Sequence, residues 1–264
     1  MTDPILRERR GTAAWITLNR PQVHNAFDAG LIAALTEALR AADADAGVRA
    51  VVLAGSGTCF SAGADLHWMR GMAAASEEEN RADSLQLAAL MRTLQFLSKP
   101  TVARVHGAAY GGGVGLVACC DIALGVEGAK FALSEVKLGL VPAVISPYVI
   151  AAIGLRQARR LFLTGEVFEA GEAARIGLLH AVLPPSQLDE AIERQLYLLG
   201  KAGPLAQREA KQLALRNGGC DPAQAERTDA ANAELIARLR VSEEGQHGLA
   251  AFLDKRAPRW VGTP

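Results

Sequence analysis

The hydrophobic pattern changes period several times along the chain. Residues 12–18 (TAAWITL) form a short apolar run between polar residues, which predicts a strand. Asp28 stands where a helix N-cap belongs, ahead of LIAALTEALRAAD, whose apolar residues recur at helical spacing. Residues 49–54 (RAVVLA) predict a second, buried strand, and a glycine-rich loop, GSGTCFSAGAD, follows it. Helical period returns over 81–97, with Leu85, Ala88, Ala89, Arg92 and Phe96 near one face, until Lys99-Pro100 stops it. Residues 101–105 (TVARV) predict a third strand, a second glycine-rich stretch (GAAYGGGVG) follows, and 122–126 predict a fourth strand. Beyond about residue 145 the strand signal fades. Helices are expected over 156–163, 169–176, 186–201, 204–216, 222–239 and 242–253. Strands alternating with helices predict an α/β core, carrying a helical C-terminal part.

Composition narrows the class without naming a function. The 264 residues suit one large domain or one domain with an appendage; half are hydrophobic and 21% charged, which argues against a disordered chain. Lys plus Arg equals Asp plus Glu at 28 each, so a strongly basic nucleic-acid binder is not expected. The four cysteines, at 59, 119, 120 and 220, form no C-x-x-C pair and no disulfide framework, which fits a reducing compartment. MTDPILRERR has no apolar leader core. Residues 138–155 carry no charge, yet Pro142 and Pro147 interrupt them, so a buried loop and a core helix are expected rather than a membrane span. A cytoplasmic protein without membrane segments is the resulting expectation.

The chemistry concentrates at the two glycine loops and one acid. Each loop follows a buried strand and leads into a helical or apolar segment, so its backbone N–H groups can be aimed outward. Two such amides converging from two loops would hold an oxyanion. Close helix–strand packing is the bland alternative. A dinucleotide loop fits poorly: Gly111, Gly113 and Gly115 have the wrong spacing and Asp121 comes too early. There is no P-loop, no G-x-S-x-G elbow, and no H-x-x-x-H pair among His24, His67, His106, His180 and His247. His67 opens the helix after the first loop. Glu135 sits in FALSEVKLGL among apolar neighbours. Lost hydration there would raise its pKa toward general acid–base use, unless it is capped or paired with Lys137.

These same segments resemble the enoyl-CoA hydratase/isomerase family, also called the crotonase family. LNRPQVHNAF is similar to its N-terminal L-N-R-P-x-x-x-N-A segment, FSAGADL to its first oxyanion loop, HGAAYGGGVGLVACCDIAL to its second, and GLAAFLDKRAPRW to its tail. The resemblance implies a spiral of ββα units over 1–200. It also implies a C-terminal helical region over 201–264, used in oligomerisation and in completing the CoA site. Homotrimers or homohexamers and an acyl-CoA substrate are implied; no metal and no separate cofactor are, coenzyme A being part of the substrate. By position, Ala64 and Gly112 would supply the oxyanion amides and Glu135 would match the family's second catalytic glutamate. Val23, His24, Ala26, Ala62, Asp65 and Leu66 would line the CoA site, and Lys255 and Arg256 would approach it from the tail. Trp68, Gly115 and Tyr148 would border the acyl pocket.

The chain departs from the family's two-glutamate pattern. The first glutamate belongs three residues after the second oxyanion glycine, and here that residue is Gly115. After Glu135 the family's glycine-rich loop is replaced by PAVISPYVI. Together the two segments look like the bacterial methylglutaconyl-CoA and isohexenylglutaconyl-CoA hydratase branch. The resemblance therefore implies hydration of a branched, carboxylated enoyl-CoA with a single glutamate. An enoyl-CoA isomerase, a generic short-chain hydratase and a non-catalytic acyl-CoA or RNA-binding relative are the alternatives. A distal carboxylate would need a cationic partner, for which Arg70, Arg81, Arg92 and Arg156 are the candidates.

Overall fold

The computed structural model describes residues 3–262. Along the chain run β1 (Ile5–Arg10), β2 (Ala13–Leu18), α1 (Ala29–Ala44), β3 (Ala50–Gly55), β4 (Cys59–Ser61), α2 (Leu66–Ala74) and α3 (Glu77–Gln95). Then come β5 (Thr101–Val105), β6 (Ala108–Tyr110), α4 (Gly112–Cys119), β7 (Ile122–Val126), β8 (Lys130–Ala132) and α5 (Ser146–Thr164). The remainder is β9 (Val167–Glu169), α6 (Ala170–Arg175), β10 (Ala181–Leu183), α7 (Leu188–Gly200), α8 (Pro204–Asn217), α9 (Pro222–Val241) and α10 (Glu243–Leu253).

Two sheets form, in the orders β1-β2-β3-β5-β7-β10 and β4-β6-β8-β9. Successive pairs β3/β4, β5/β6 and β7/β8 give one strand to each sheet before a helical return, so the chain spirals through ββα units as the sequence led us to expect. Neighbours within each sheet are parallel except β1 on β2 and β9 on β8. Strands such as β3 (AVVLAG) read as unbroken apolar runs because elements cover both faces. The second sheet was not legible beforehand: β4, β6 and β8 have three residues each, too few to show a period of two. Edge strand β1 (ILRERR) was also missed, since only Ile5 of it is buried.

Local chemistry sets the helix ends. Asp28 Oδ1 accepts from the Leu31 amide at 2.8 Å, and Ser76 with Glu79 forms a reciprocal capping box at the start of α3. Helix α5 is broken at Gly154 (φ +76°). The helix expected over 156–163 is its second arm, and its first arm with the preceding loop accounts for the uncharged stretch 138–155. Among the described residues no helix is long and apolar enough to cross a membrane.

The C-terminal helices return to the core. Helix α9 runs along α3, and α10 packs on α2 and on the short 3-10 turn Glu135–Leu138. Arg92 on α3 pairs with Asp229 on α9 at 2.8 Å, and Asp229 is only 2% exposed. Both helices therefore wall the cleft that the glycine loops open into.

Candidate active site

The first loop is held from behind by the segment before α1. The Phe27 amide donates to Gly63 O at 2.6 Å and the Asp65 amide to Phe27 O at 2.9 Å, a parallel bridge centred on Phe27 and Ala64. Because Phe27 bonds the residues on either side of Ala64, the Ala64 N–H points the other way, into the cleft. It has no acceptor among the described residues. Gly63 (φ +82°) makes this turn, and a Cβ there would lie 2.8 Å from Tyr110 O of the second loop. The two loops thus touch backbone to backbone.

The second amide comes from a helix start. Gly111 adopts φ +49°, ψ −117°, a conformation open to glycine, and turns the chain from β6 into α4. Gly112 is then the first residue of α4, where the amide has no partner in its own helix and the helix dipole adds partial positive charge. No room exists for a side chain: a Cβ on Gly112 would sit 2.6 Å from Phe27 Cε2.

Glu135 faces both amides' loops. Its Oε1 lies 3.1 Å from where a Cβ on Gly111 would be. Its Oε2 is sealed from solvent with no hydrogen-bond partner, and it makes no ion pair with Lys137 or any other described residue. Loss of hydration lifts its pKa from 4.5 to about 7, opposed only by its own backbone amide. That places the carboxyl where it can both take and give a proton near neutral pH.

These groups open onto one cleft enclosing about 1050 Å³ of empty space, counted out to its open mouth. Ala62, Ala64, Trp68, Gly112 and Glu135 all line it, with Phe27, Leu87, Ile145, Ile236 and Leu249 among the apolar walls. Val23, His24 and Ala26 lie in the segment bonded to the first loop, where the Ala62 amide donates to His24 O at 2.9 Å. Leu66 is half exposed, and Lys255 and Arg256 are exposed on the turn after α10, outside the cleft lining. His67 is an exposed residue of α2.

The packing places three of the expected site residues outside the cleft lining. The Asp65 carboxylate is engaged within the protein: Oδ1 caps α2 through the His67 amide at 2.8 Å, and Oδ2 takes the Arg20 guanidinium at 3.0 Å. Tyr148 does not border the cleft; it is buried in the core with its hydroxyl unpartnered, and burial pushes its pKa up. Gly115 is likewise walled off, since a Cβ there would meet Ile145 Cγ2 at 2.4 Å. Ile145, from the departing loop, occupies the direction a glutamate at 115 would take.

The four arginines considered for a distal carboxylate also lie elsewhere. Arg70 and Arg156 are exposed, Arg81 is 3.7 Å from Glu234 on the surface, and Arg92 is spent on Asp229. The cation in the cleft wall is Arg240, 3.2 Å from Asp83. The expected helix 222–239 stopped one residue short of it.

A family model described as Enoyl-CoA hydratase/isomerase matches residues 8–263. The fold resembles the crystal structure of an enoyl-CoA hydratase from Shewanella pealeana, with TM-score 0.79 and 42% identity over 97% of this chain and 96% of that one. The 2,3-dehydroadipyl-CoA hydratase of Escherichia coli is 34% identical over 263 residues, 98% of each chain. The short-chain-enoyl-CoA hydratase of Clostridium acetobutylicum is 30% identical over 254 residues, 96% of this chain and 95% of that one.

Proposed function

This chain belongs to the enoyl-CoA hydratase/isomerase family and is an enzyme of the hydratase (lyase) kind; from that premise we propose that it hydrates a branched, carboxylated enoyl-CoA of the 3-methylglutaconyl type with Glu135 as the one proton-transfer residue. The observation carrying this reading is a lone, desolvated carboxyl beside two unpartnered amides in one cleft.

The thioester oxygen accepts from the Ala64 and Gly112 amides, which draws electron density from the β-carbon. Water attacks that carbon as ionised Glu135 takes one of its protons. The double-bond electrons shift into an enolate, whose oxygen the two amides hold. Glu135 then returns the proton to the α-carbon and is ionised again, so the elements of water are added and the enzyme is unchanged. Removing one such amide donor typically costs about 10²–10³ in rate. The pantetheine and nucleotide of CoA would run over the segment holding Val23, His24 and Ala26, with Lys255 and Arg256 reaching them from the tail of the same or a neighbouring subunit.

The sequence departures at Gly115 and 142–150 support this acyl group, as does the name of the Escherichia coli relative, which specifies a dicarboxylic acyl-CoA. The name of the Clostridium relative instead specifies a short-chain enoyl-CoA. A single carboxyl also serves an enoyl-CoA isomerase, which moves one proton between carbons. Turnover of 3-methylglutaconyl-CoA and of crotonyl-CoA in ¹⁸O water separates these readings. Labelled 3-hydroxyacyl-CoA formed faster from the carboxylated substrate is the expected result. Double-bond migration without label overturns hydration, and a preference for crotonyl-CoA overturns the substrate assignment.

A further inference from the structure

Arg240 sits in an otherwise apolar part of the cleft, between Trp68, Leu87 and Ile236. Its Nη1 donates to Asn80 Oδ1 and to Asp83 Oδ2, both at 3.2 Å. Asp83 Oδ1 in turn accepts from Trp68 Nε1 at 3.1 Å, and the guanidinium carbon lies 5.9 Å from the Trp68 ring centroid. Asn80 is itself fixed, its amide donating to the carbonyls of Met72 in α2 and of Ala75 just after it. The guanidinium is therefore clamped on one side by α2 and α3 while α9 carries it.

The other side is open. Nε and Nη2 donate to no acceptor among the described residues, and neither is among the buried polar atoms sealed without a partner. Side chains of Arg240 and Asp83 are only 15% and 11% exposed, so the solvent that reaches this edge does so through the cleft. Burial lowers the Arg240 pKa and raises that of Asp83, so the pair is under-solvated on both sides. Nε and Nη2 present two parallel N–H groups, the fork that a carboxylate bridges with both oxygens. A hydroxyl or a methyl would leave one or both donors unmet inside a poorly hydrated wall.

We infer that Arg240 is the specificity-determining residue that receives a carboxylate at the far end of the acyl chain. The inference rests on the acyl-CoA reading of the cleft and adds to it the group that selects the acyl class. Asp83 and Asn80 are positioning residues, holding the guanidinium plane toward the acyl chain.

Saturated acyl-CoAs test this without turnover. Calorimetry would compare glutaryl-CoA and adipyl-CoA with pentanoyl-CoA and hexanoyl-CoA, which match them in length but end in methyl. The wild-type protein is expected to bind at least one carboxylated member about tenfold or more tighter than its methyl counterpart, as a charged hydrogen bond implies. Arg240→Met is expected to abolish that ratio. Because this change strands the Asp83 carboxylate, the double variant Asp83→Asn/Arg240→Met is measured beside it and should show the same loss. A role confined to tying α9 to α3 would lower the melting temperature and leave the ratio intact, which overturns the assignment. Equal wild-type affinities overturn it too while leaving the acyl-CoA site standing. Failure to bind any of the four overturns both.

Discussion

At the scale of single residues, the proposed chemistry rests on Glu135 and Gly112. The proposed hydration cycle begins and ends with Glu135 ionised, and its pKa is lifted to about 7 by burial. The kcat/KM for hydration should therefore rise with pH, tenfold per pH unit on the acid side, and level off above about 7. A rising limb centred near 4.5 would assign the essential base elsewhere. The amide of Gly112 is harder to isolate. Gly112→Pro removes its hydrogen, but any Cβ there must displace the Phe27 ring 2.6 Å away. Gly112→Ala brings the same Cβ and keeps the N–H, so it is the proper control. The proline variant is expected to fall about 10²-fold or more below the alanine variant in kcat. Equal losses would mean that only the clash matters.

At the scale of elements, the approach of α4 to the loop before α5 decides what the site lacks. Gly115 of α4 faces Ile145 at 2.4 Å and Met91 of α3 at 3.2 Å from its virtual Cβ. Restoring the family's first acid with Gly115→Glu would drive a carboxyl into packed hydrocarbon. We expect a stability loss of about 3 kcal/mol or more, read by urea unfolding, and no gain on straight-chain substrates. A stable Gly115→Glu protein hydrating crotonyl-CoA faster would show that Ile145 yields. This scale also explains what the sequence made legible. Strands β2, β3, β5 and β7, the two loops and helices α6 to α10 carry strong local signals, namely apolar runs, caps and helical period. Glu135 was visible because apolar neighbours surround it in the chain as well as in space. Arg240 was not: Arg238 and Arg240 look alike on an amphipathic helix, and only the packing of α9 on α3 turns Arg240 into the cleft. The surroundings of Asp65 and Tyr148 were hidden for the same reason, since contacts across elements, the Arg20 guanidinium for the one and core packing for the other, decide where those side chains face.

For the whole molecule, the two sheets and the returning C-terminal helices make one cleft, with the candidate oxyanion amides on one wall and α9 and α10 on another. The outer helices remain underused in the monomer. Helix α8 buries no residue and exposes Leu205 and Leu213, while Leu155 and Leu163 of α5 are also exposed. We propose that these surfaces meet in a homotrimer or a dimer of trimers; light scattering at micromolar concentration should give three or six chain masses, and a monomer would contradict it. The central claim, that a single carboxyl handles the proton in this cleft, is tested most directly by the turnover of Glu135→Gln. The variant should fold, with an unfolding midpoint at pH 8 no lower than wild type, because the ionised carboxyl is the form that burial disfavours. Acyl-CoA affinity should change little, since the amides of Ala64 and Gly112 remain. Hydration by this variant is expected to fall by about 10²–10⁴-fold; a folded Glu135→Gln enzyme keeping more than about a tenth of wild-type kcat would contradict the account.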